Sequence, residues 1–264
     1  MDGTIQLRNG LYRIRRVVKQ SNLLLVSNQP KALDSALSSV VYNRFFLESY
    51  LDHYPSYRFS LAPVRVEESA PRVVRLAASA AEVAGVGPMA AVPGALAELA
   101  VEAMCRQGSR VSLVENGGEI AAVSVAPINV GVYAGNSPLS GRIGFHLTAE
   151  DFPIGIATSS ASVSHAINFG EADAAIVVAD TASMADAAAK AVCNAVRGID
   201  IEASVQSGLE AAEAIPNIRS ALVIRGGFAG TVGRLPRLLK LNGGIDELFR
   251  ASLHEILPED VITL

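Results

Sequence analysis

Four short stretches carry the side chains suited to chemistry. Residues 115–119 read Glu-Asn-Gly-Gly-Glu. The two glycines permit a turn that brings an amide and two carboxylates to one rim. Asn116 offers a donor and an acceptor, and Glu119 accepts two N–H groups, a pattern that grips the edge of a heterocycle. Asn-Gly is equally the strongest short hairpin signal, so Gly117 and Gly118 also fit an ordinary turn. Residues 155–165 read Gly-Ile-Ala-Thr-Ser-Ser-Ala-Ser-Val-Ser-His. There Thr158, Ser159 and Ser160 follow an apolar strand, where they could form a polar lining beside a ligand phosphate. A serine nucleophile needs a base within hydrogen-bond reach. His165 is near, but no GxSxG elbow is present, and a satisfied loop histidine is the plainer reading.

The other two stretches are helix starts. Residues 85–98 open Gly-Val-Gly-Pro and continue with Ala and Gly. Small residues at a helix start leave N–H groups and the positive end of the dipole open to an anion such as phosphate. Gly87 would let a ligand reach the backbone. Composition alone favours the alternative, that Gly and Ala permit tight helix–sheet packing. In residues 178–190, Asp180 or Ser183 can cap a helix. Asp186 lies one turn in and is a candidate Mg²⁺ ligand, because that ion takes oxygen donors. Two alternatives stand beside it: a first-turn Asp that offsets the helix dipole, and an i,i+4 pair with Lys190.

The elements that would position these residues are strands and helices without the long strand–helix alternation of a parallel doubly wound sheet. Strands are expected at 11–18 and 22–26 as a hairpin, then at 57–66, 110–114, 119–125, 172–178 and 220–225. Helices are expected at 30–53, from 71 to the Gly85 break, at 88–107, 183–196 and 210–214, with a short one at 246–256. In the first helix the apolar positions Leu33, Leu37, Val40, Val41, Phe45, Leu47 and Leu51 recur at helical spacing. Residues 129–152 read as short strands with turns. Leu113–Ala121 can be laid over Leu222–Gly230, each a strand, a Gly-Gly turn and a returning strand. This weak repeat implies two related halves, although the same pattern arises from common hairpin chemistry. Neither a GxGxxG before a helix nor a GxxxxGK[ST] occurs, which disfavours Rossmann and P-loop folds.

Composition sets the bounds. The 264 residues are 50% hydrophobic and 18% charged, with net charge −4 and no Trp, so a large core of small side chains is available. No basic stripe supports nucleic-acid binding. Two cysteines without a CxxC, and a first stretch lacking an apolar signal core, point to the cytoplasm. The most apolar stretch, 85–104, is broken by Pro88, Pro93, Gly94, Glu98 and Glu102, so it reads as a buried helix and not a membrane span.

Taken in order, the motifs resemble the ApbE-like superfamily, and within it the UPF0280 family. Asn116–Glu119 is similar to the N-x-G-G-D/E element of flavin transferases. Ala157-Thr158-Ser159 resembles A-T-S-G, 177–187 resembles V-V-A-x₅-A-D-A, and the GPMAAV beginning at Gly87 resembles the UPF0280 stretch. The likeness covers about 85–195. It implies an α+β fold of tandem T-fold type, with antiparallel sheets and helices packed on one face. A single ApbE-like domain over 1–264 is expected, with internal halves about 1–125 and 126–264. It also implies a small-molecule site between the halves for a phosphate-bearing flavin, nucleotide or pterin-like ligand. FMN or FAD is the implied cofactor, with Mg²⁺. In that reading Asp186, Thr158 and Ser159 are catalytic. Gly87, Asn116, Gly117, Gly118, Glu119 and Ser160 bind the cofactor, and Asp186 also holds the metal. Two departures stand out: Lys190 takes the place of the metal-binding Thr, and Ser160 that of the Gly. A transferase or hydrolase is therefore one expectation. The other is a binding or oligomeric assembly protein that keeps the fold without the metal. Homo-oligomers are expected to assemble through sheet edges, with neither nucleic acid nor membrane as partner.

Overall fold

The computed structural model describes residues 5–163 and 168–241, together with the backbone of 261–263. The chain opens with three strands, β1 (Gln6–Arg8), β2 (Leu11–Val18) and β3 (Ser21–Ser27). Helices α1 (Pro30–His53), α2 (Pro55–Phe59) and α3 (Arg72–Ala84) follow, then a 3₁₀ turn (Pro88–Ala91) leading into α4 (Val92–Arg106). Strands β4 (Val111–Asn116), β5 (Glu119–Ser124), β6 (Ile128–Gly131), β7 (Ile143–Leu147), β8 (Ile154–Ser159) and β9 (Ala174–Ala179) come next. The chain continues through α5 (Ala182–Ala195), α6 (Ile201–Ala214), β10 (Ile218–Arg225), β11 (Phe228–Gly233), β12 (Arg237–Lys240) and β13 (Val261–Thr263).

The strands form a nine-stranded sheet ordered β1-β2-β3-β4-β5-β8-β9-β10-β11, antiparallel at every pairing. Its order contains one pattern twice. A hairpin, a helical insertion and a second hairpin make β2-β3-β4-β5, and the same sequence of elements makes β8-β9-β10-β11. The Gly-Gly turns matched in sequence are the β4–β5 and β10–β11 turns, the equivalent corners of the two units. The β5–β8 ladder, which pairs Glu119 with Ala157, joins them into one surface.

Both faces of this sheet are covered, which is why its strands are apolar without strict alternation. Leu23 and Leu25 pack with Leu33, Val40, Ala97 and Met104 beneath α1 and α4. Leu24 and Val26 point the other way, towards Val130, Phe145 and Leu147 of a second sheet ordered β12-β7-β6-β13. Within that smaller sheet β6 and β13 run parallel. The helices thus occupy one face of the large sheet. The Ala-rich helix α5 lies close on it, with Ala185, Ala188 and Ala189 against Ala157, Ala175 and Val177. At Gly155 an added Cβ would sit 2.2 Å from the carbonyl oxygen of Thr181, so only glycine allows that approach. The small-residue stretches therefore serve packing.

The 88–106 stretch is long and apolar enough by composition to cross a membrane, yet most of it is buried against α1, α3, α5 and the sheet. Several expectations are corrected. Residues 57–66 form no strand. Pro55 starts the short helix α2, and Tyr57 is fully buried with its hydroxyl donating to the carbonyl of Val74. Helix α6 begins at Ile201, well before 210, because Asp200 caps it by accepting from the amide of Ala203. Thr181, and neither Asp180 nor Ser183, caps α5. Asp180 pairs with Arg219 instead, and the Ser183 hydroxyl donates to Glu98. On α1 the buried stripe is Leu33, Ala36, Val40, Arg44, Leu47 and Leu51, while Val41 and Phe45 face outward. His165 and the helix expected at 246–256 lie outside the described residues.

Candidate functional site

A cleft of about 1010 Å³ opens where the helical layer meets the junction of β5 and β8. Its floor comes from strand ends and from α5: Asn116, Gly117, Glu119, Thr158, Ser159, Asp186 and Lys190. One wall is apolar, with Leu47 and Leu51 from α1, Met89 from the 3₁₀ turn, and Val92, Pro93 and Leu96 from α4. The opposite rim is polar and comes from the β2–β3 turn, α1 and α2.

The floor is held by hydrogen bonds between elements. The Gly94 amide, in the first turn of α4, donates to Oδ2 of Asp186 at 2.8 Å. The Asn116 side chain donates to the carbonyl of Pro93 at 3.0 Å. Glu98 accepts from the Ser183 hydroxyl at 2.7 Å and from the Ser183 amide at 3.3 Å. Lys190 donates to Oδ1 of Asn168 at 2.6 Å, and Ser159 donates to the same oxygen at 3.1 Å. Asn168 is in turn oriented by its bond to the carbonyl of Ser160. The Thr158 hydroxyl oxygen is buried without a hydrogen-bond partner.

Burial dominates the electrostatics. Glu119 and Asp186 are each 8% exposed. Desolvation pushes the Asp186 carboxyl up to about 7, against the opposing pull of the Gly94 amide and Lys190. Desolvation likewise carries Glu119 well above the usual carboxylate range, with Asp186 and Glu115 adding to the rise. Glu115 is raised by burial, offset by Arg15 and the amides of Gly118 and Gly117. Lys190 moves the other way, lowered by desolvation and held up by Cys193, Asp186 and Glu119.

Six of the residues singled out in the sequence line one cleft: Asn116, Gly117, Glu119, Thr158, Ser159 and Asp186. Three others lie away from its lining. A Cβ at Gly87 would fall 2.0 Å from the carbonyl oxygen of Ser60, so that glycine serves a backbone crossing. Gly118 has φ +116° and gives its amide to Glu115. The Ser160 hydroxyl accepts the amides of Ser162 and Val163, closing a turn. The first turn of α4 already has an anion of the chain's own, the Asp186 carboxylate.

The rim was missed in the sequence. Lys19 pairs with Glu48, and Arg44, only 9% exposed, donates to Ser21, Gln20 and Glu48. Lys19 and Arg44 hold the Glu48 carboxyl below its ordinary range. One signal was available: Arg44 falls in the buried stripe of α1, where a charge needs partners.

The donor set does not fit a divalent metal. One Asp186 oxygen is engaged by Gly94, the Lys190 cation lies beside both carboxylates, and among the described residues no group of three acidic, His or Cys side chains converges.

Two antiparallel hairpin–helix–hairpin units fused into one sheet, with a cleft at their junction, define the ApbE-like flavin-transferase class of fold. The chain superposes on the flavin transferase ApbE from Vibrio cholerae with a TM-score of 0.52 at 12% identity, covering 84% of this chain and 96% of that one. For the Pseudomonas stutzeri flavinyl transferase ApbE the TM-score is 0.50 at 15% identity, covering 88% and 95%. Within that class the chain belongs to the family described as AbpE bacteria, whose model matches residues 5–217. It is 39% identical over 242 residues to a UPF0280 protein of Methanocaldococcus jannaschii, covering 90% of this chain and 98% of that one. To a UPF0280 protein of Methanopyrus kandleri it is 40% identical over 237 residues, covering 89% and 95%.

Proposed function

We propose that the cleft binds a phosphate-bearing flavin or a nucleotide-like compound, without a divalent metal. The observation that carries this reading is the convergence of Glu119, Thr158, Asp186 and Lys190 on the floor of one cleft that also has an apolar wall. Ligand sites are mostly apolar concavities of roughly 300–1,000 Å³ with a few placed polar groups. At about 1010 Å³ this cleft is large enough for a flavin nucleotide. A fused ring would lie against Leu47, Met89 and Val92. Glu119, whose carboxyl burial shifts towards the protonated form, would present its oxygens to a ring edge. The unpartnered Thr158 hydroxyl supplies a further polar contact. Lys190, fixed by Asn168, supplies the positive charge that a metal would otherwise bring to a phosphate. The ApbE structures of like fold are flavin transferases by name, which supports the flavin part of the reading. The two cysteines are free, in keeping with a reducing compartment such as the cytoplasm.

A second reading adds turnover, as a transferase or hydrolase. Asp186 favours it, because a carboxyl near pH 7 exchanges a proton readily at working pH. Thr158 or Ser159 would then be the hydroxyl from which it takes the proton.

The test is thermal denaturation with FMN, FAD, ATP, GTP and a pterin, each with Mg²⁺ and with EDTA. A ligand that binds only the folded chain at a hundred times its Kd stabilises it by about 2.7 kcal/mol. The expected result is a shift with a flavin or nucleotide that EDTA leaves unchanged. No shift with any of the five would remove the ligand assignment, and a shift abolished by EDTA would remove the metal-free part. Product formed from the binding ligand and lost in Asp186→Asn would establish the second reading.

A further inference from the structure

Helix α1 has two unlike faces. One carries the buried stripe from Leu33 to Leu51 described above. Across from it, Val41, Tyr42, Phe45 and Phe46 are 51%, 63%, 67% and 38% exposed. Their rings touch one another, with centroids 4.7 Å apart for Tyr42 and Phe46 and 5.4 Å for Phe45 and Phe46. A shallow groove of about 600 Å³ runs beside them, lined by Leu37, Ser38, Val41, Tyr42 and Phe45. At about 200 Å² for a full aromatic side chain, these exposures amount to roughly 400 Å² of apolar surface in one patch. A patch of that size equals the largest found on typical single chains, and such patches are often functional.

The layout of the patch selects its occupant. The midpoint of α1 falls between Val41 and Tyr42, at the centre of the patch. A two-fold axis at that point would set a second α1 antiparallel to the first. It would bring Val41 of each copy to Tyr42 of the other, Ser38 to Phe45 and Leu37 to Phe46, a small or aliphatic residue facing a ring each time. Such self-complementarity is what an isologous contact requires. The charges obey the same symmetry. Lys31 and Asp52 are exposed and fall on this side of α1 by helical spacing, Asp52 also bordering the cleft rim, each about 16 Å from the midpoint at a rise of 1.5 Å per residue. In the antiparallel pair each Lys31 would meet the other copy's Asp52, giving two opposite-charge contacts. Asp52 is 3.9 Å from Arg58 and keeps 72% side-chain exposure, so it is accessible to a partner.

We propose that the chain forms a homodimer through the exposed face of α1, with two α1 helices packed antiparallel about their midpoints. The contact leaves the sheet edges β1 and β11 out of the interface. It does not depend on the ligand reading. The apolar area withdrawn from both copies, roughly 800 Å², lies near the lower end for specific interfaces once polar flanks are added, so a weak, concentration-dependent dimer is expected.

Sedimentation or light scattering across about 1–200 μM full-length protein tests this, a range in which weak association shows. The expected mass rises with concentration to twice that of the chain. Phe45→Asp should hold the protein at monomer mass with an unchanged melting temperature. Lys31→Asp should weaken the dimer at least tenfold, and the double variant Lys31→Asp/Asp52→Lys should restore it. Oxidation of Val41→Cys should cross-link two copies in a Cys105→Ser background. A monomer throughout the range, or a dimer indifferent to Phe45→Asp and not cross-linked through position 41, would overturn the proposal. If Phe45→Asp does not fold, the charge-swap pair and the cross-link decide the matter alone.

Discussion

The amide of Gly94 and Oδ2 of Asp186 are 2.8 Å apart, and that contact locks the start of α4 to the first half of α5. The two helices touch there through backbone. A Cβ at position 94 would lie 2.3 Å from the carbonyl oxygen of Ala182 and 2.9 Å from the Cβ of Asp186. Gly94→Ala is therefore expected to force the helices apart, destabilising the fold by about 2–4 kcal/mol and displacing the carboxylate. Urea denaturation measures the loss. A change below about 0.5 kcal/mol would show that the helices are not in backbone contact.

Asp186 also sets a pH dependence. Its carboxyl titrates near 3.8 when unfolded and about 7 when folded, so between those values the folded state holds more protons. Stability then falls as pH rises through that window, and the cost is complete above about pH 7. Asp186→Asn keeps an acceptor for Gly94 and removes the charge. It is expected to stabilise by up to about 2 kcal/mol at pH 8 and by little near pH 4, with Lys190 offsetting part of the gain. At roughly 2–4 °C per kcal/mol for a chain of this size, melting curves at the two pH values resolve it. A variant equally stabilised at both would place the cause outside ionisation.

Lys190 is the built-in cation of the floor. Lys190→Met keeps its length without its charge and is expected to weaken flavin-nucleotide binding at least tenfold, about 1.4 kcal/mol. Lys190→Thr removes the cation and leaves an oxygen beside the two carboxylates. That variant is expected to bind Mn²⁺, followed by the loss of its free spin-resonance signal, whereas the natural sequence leaves the signal intact. Stoichiometric Mn²⁺ binding by the natural sequence would contradict the role given to Lys190.

Arg44 anchors the rim. Its guanidinium bonds Ser21, Gln20 and Glu48 from a nearly buried position. Arg44→Ala leaves those partners unsatisfied and is expected to cost about 2–4 kcal/mol in urea titration, along with weaker ligand binding. Arg44→Lys, which cannot reproduce the planar fork, should recover only part of it.

The sequence made most of the scaffold legible, for identifiable reasons. The hairpin at 11–27, the long α1 and the Gly-Gly turn at 117–118 are local signals, and local signals survive folding. The strand expected at 57–66 failed because Tyr57 is held by a distant carbonyl, that of Val74, which no local pattern announces. Asn116, Glu119, Thr158 and Asp186 could be chosen one by one from their types. That they line one cleft depends on the pairing of β5 with β8 and on α5 crossing above it. Which apolar positions of α1 face inward was not legible for a related reason, as the exposed Val41 and Phe45 show. Their spacing fits a helix, but only the packed neighbours of α1 decide which side faces inward.

The β5–β8 ladder has one more consequence. Because both units share a single hydrogen-bonded surface, the base of the cleft cannot be parted like a pair of jaws. Any guest would instead enter past the polar rim formed by the β2–β3 turn, α1 and α2. In an amide-exchange experiment on loading, the base is expected to stay silent and the rim to report it.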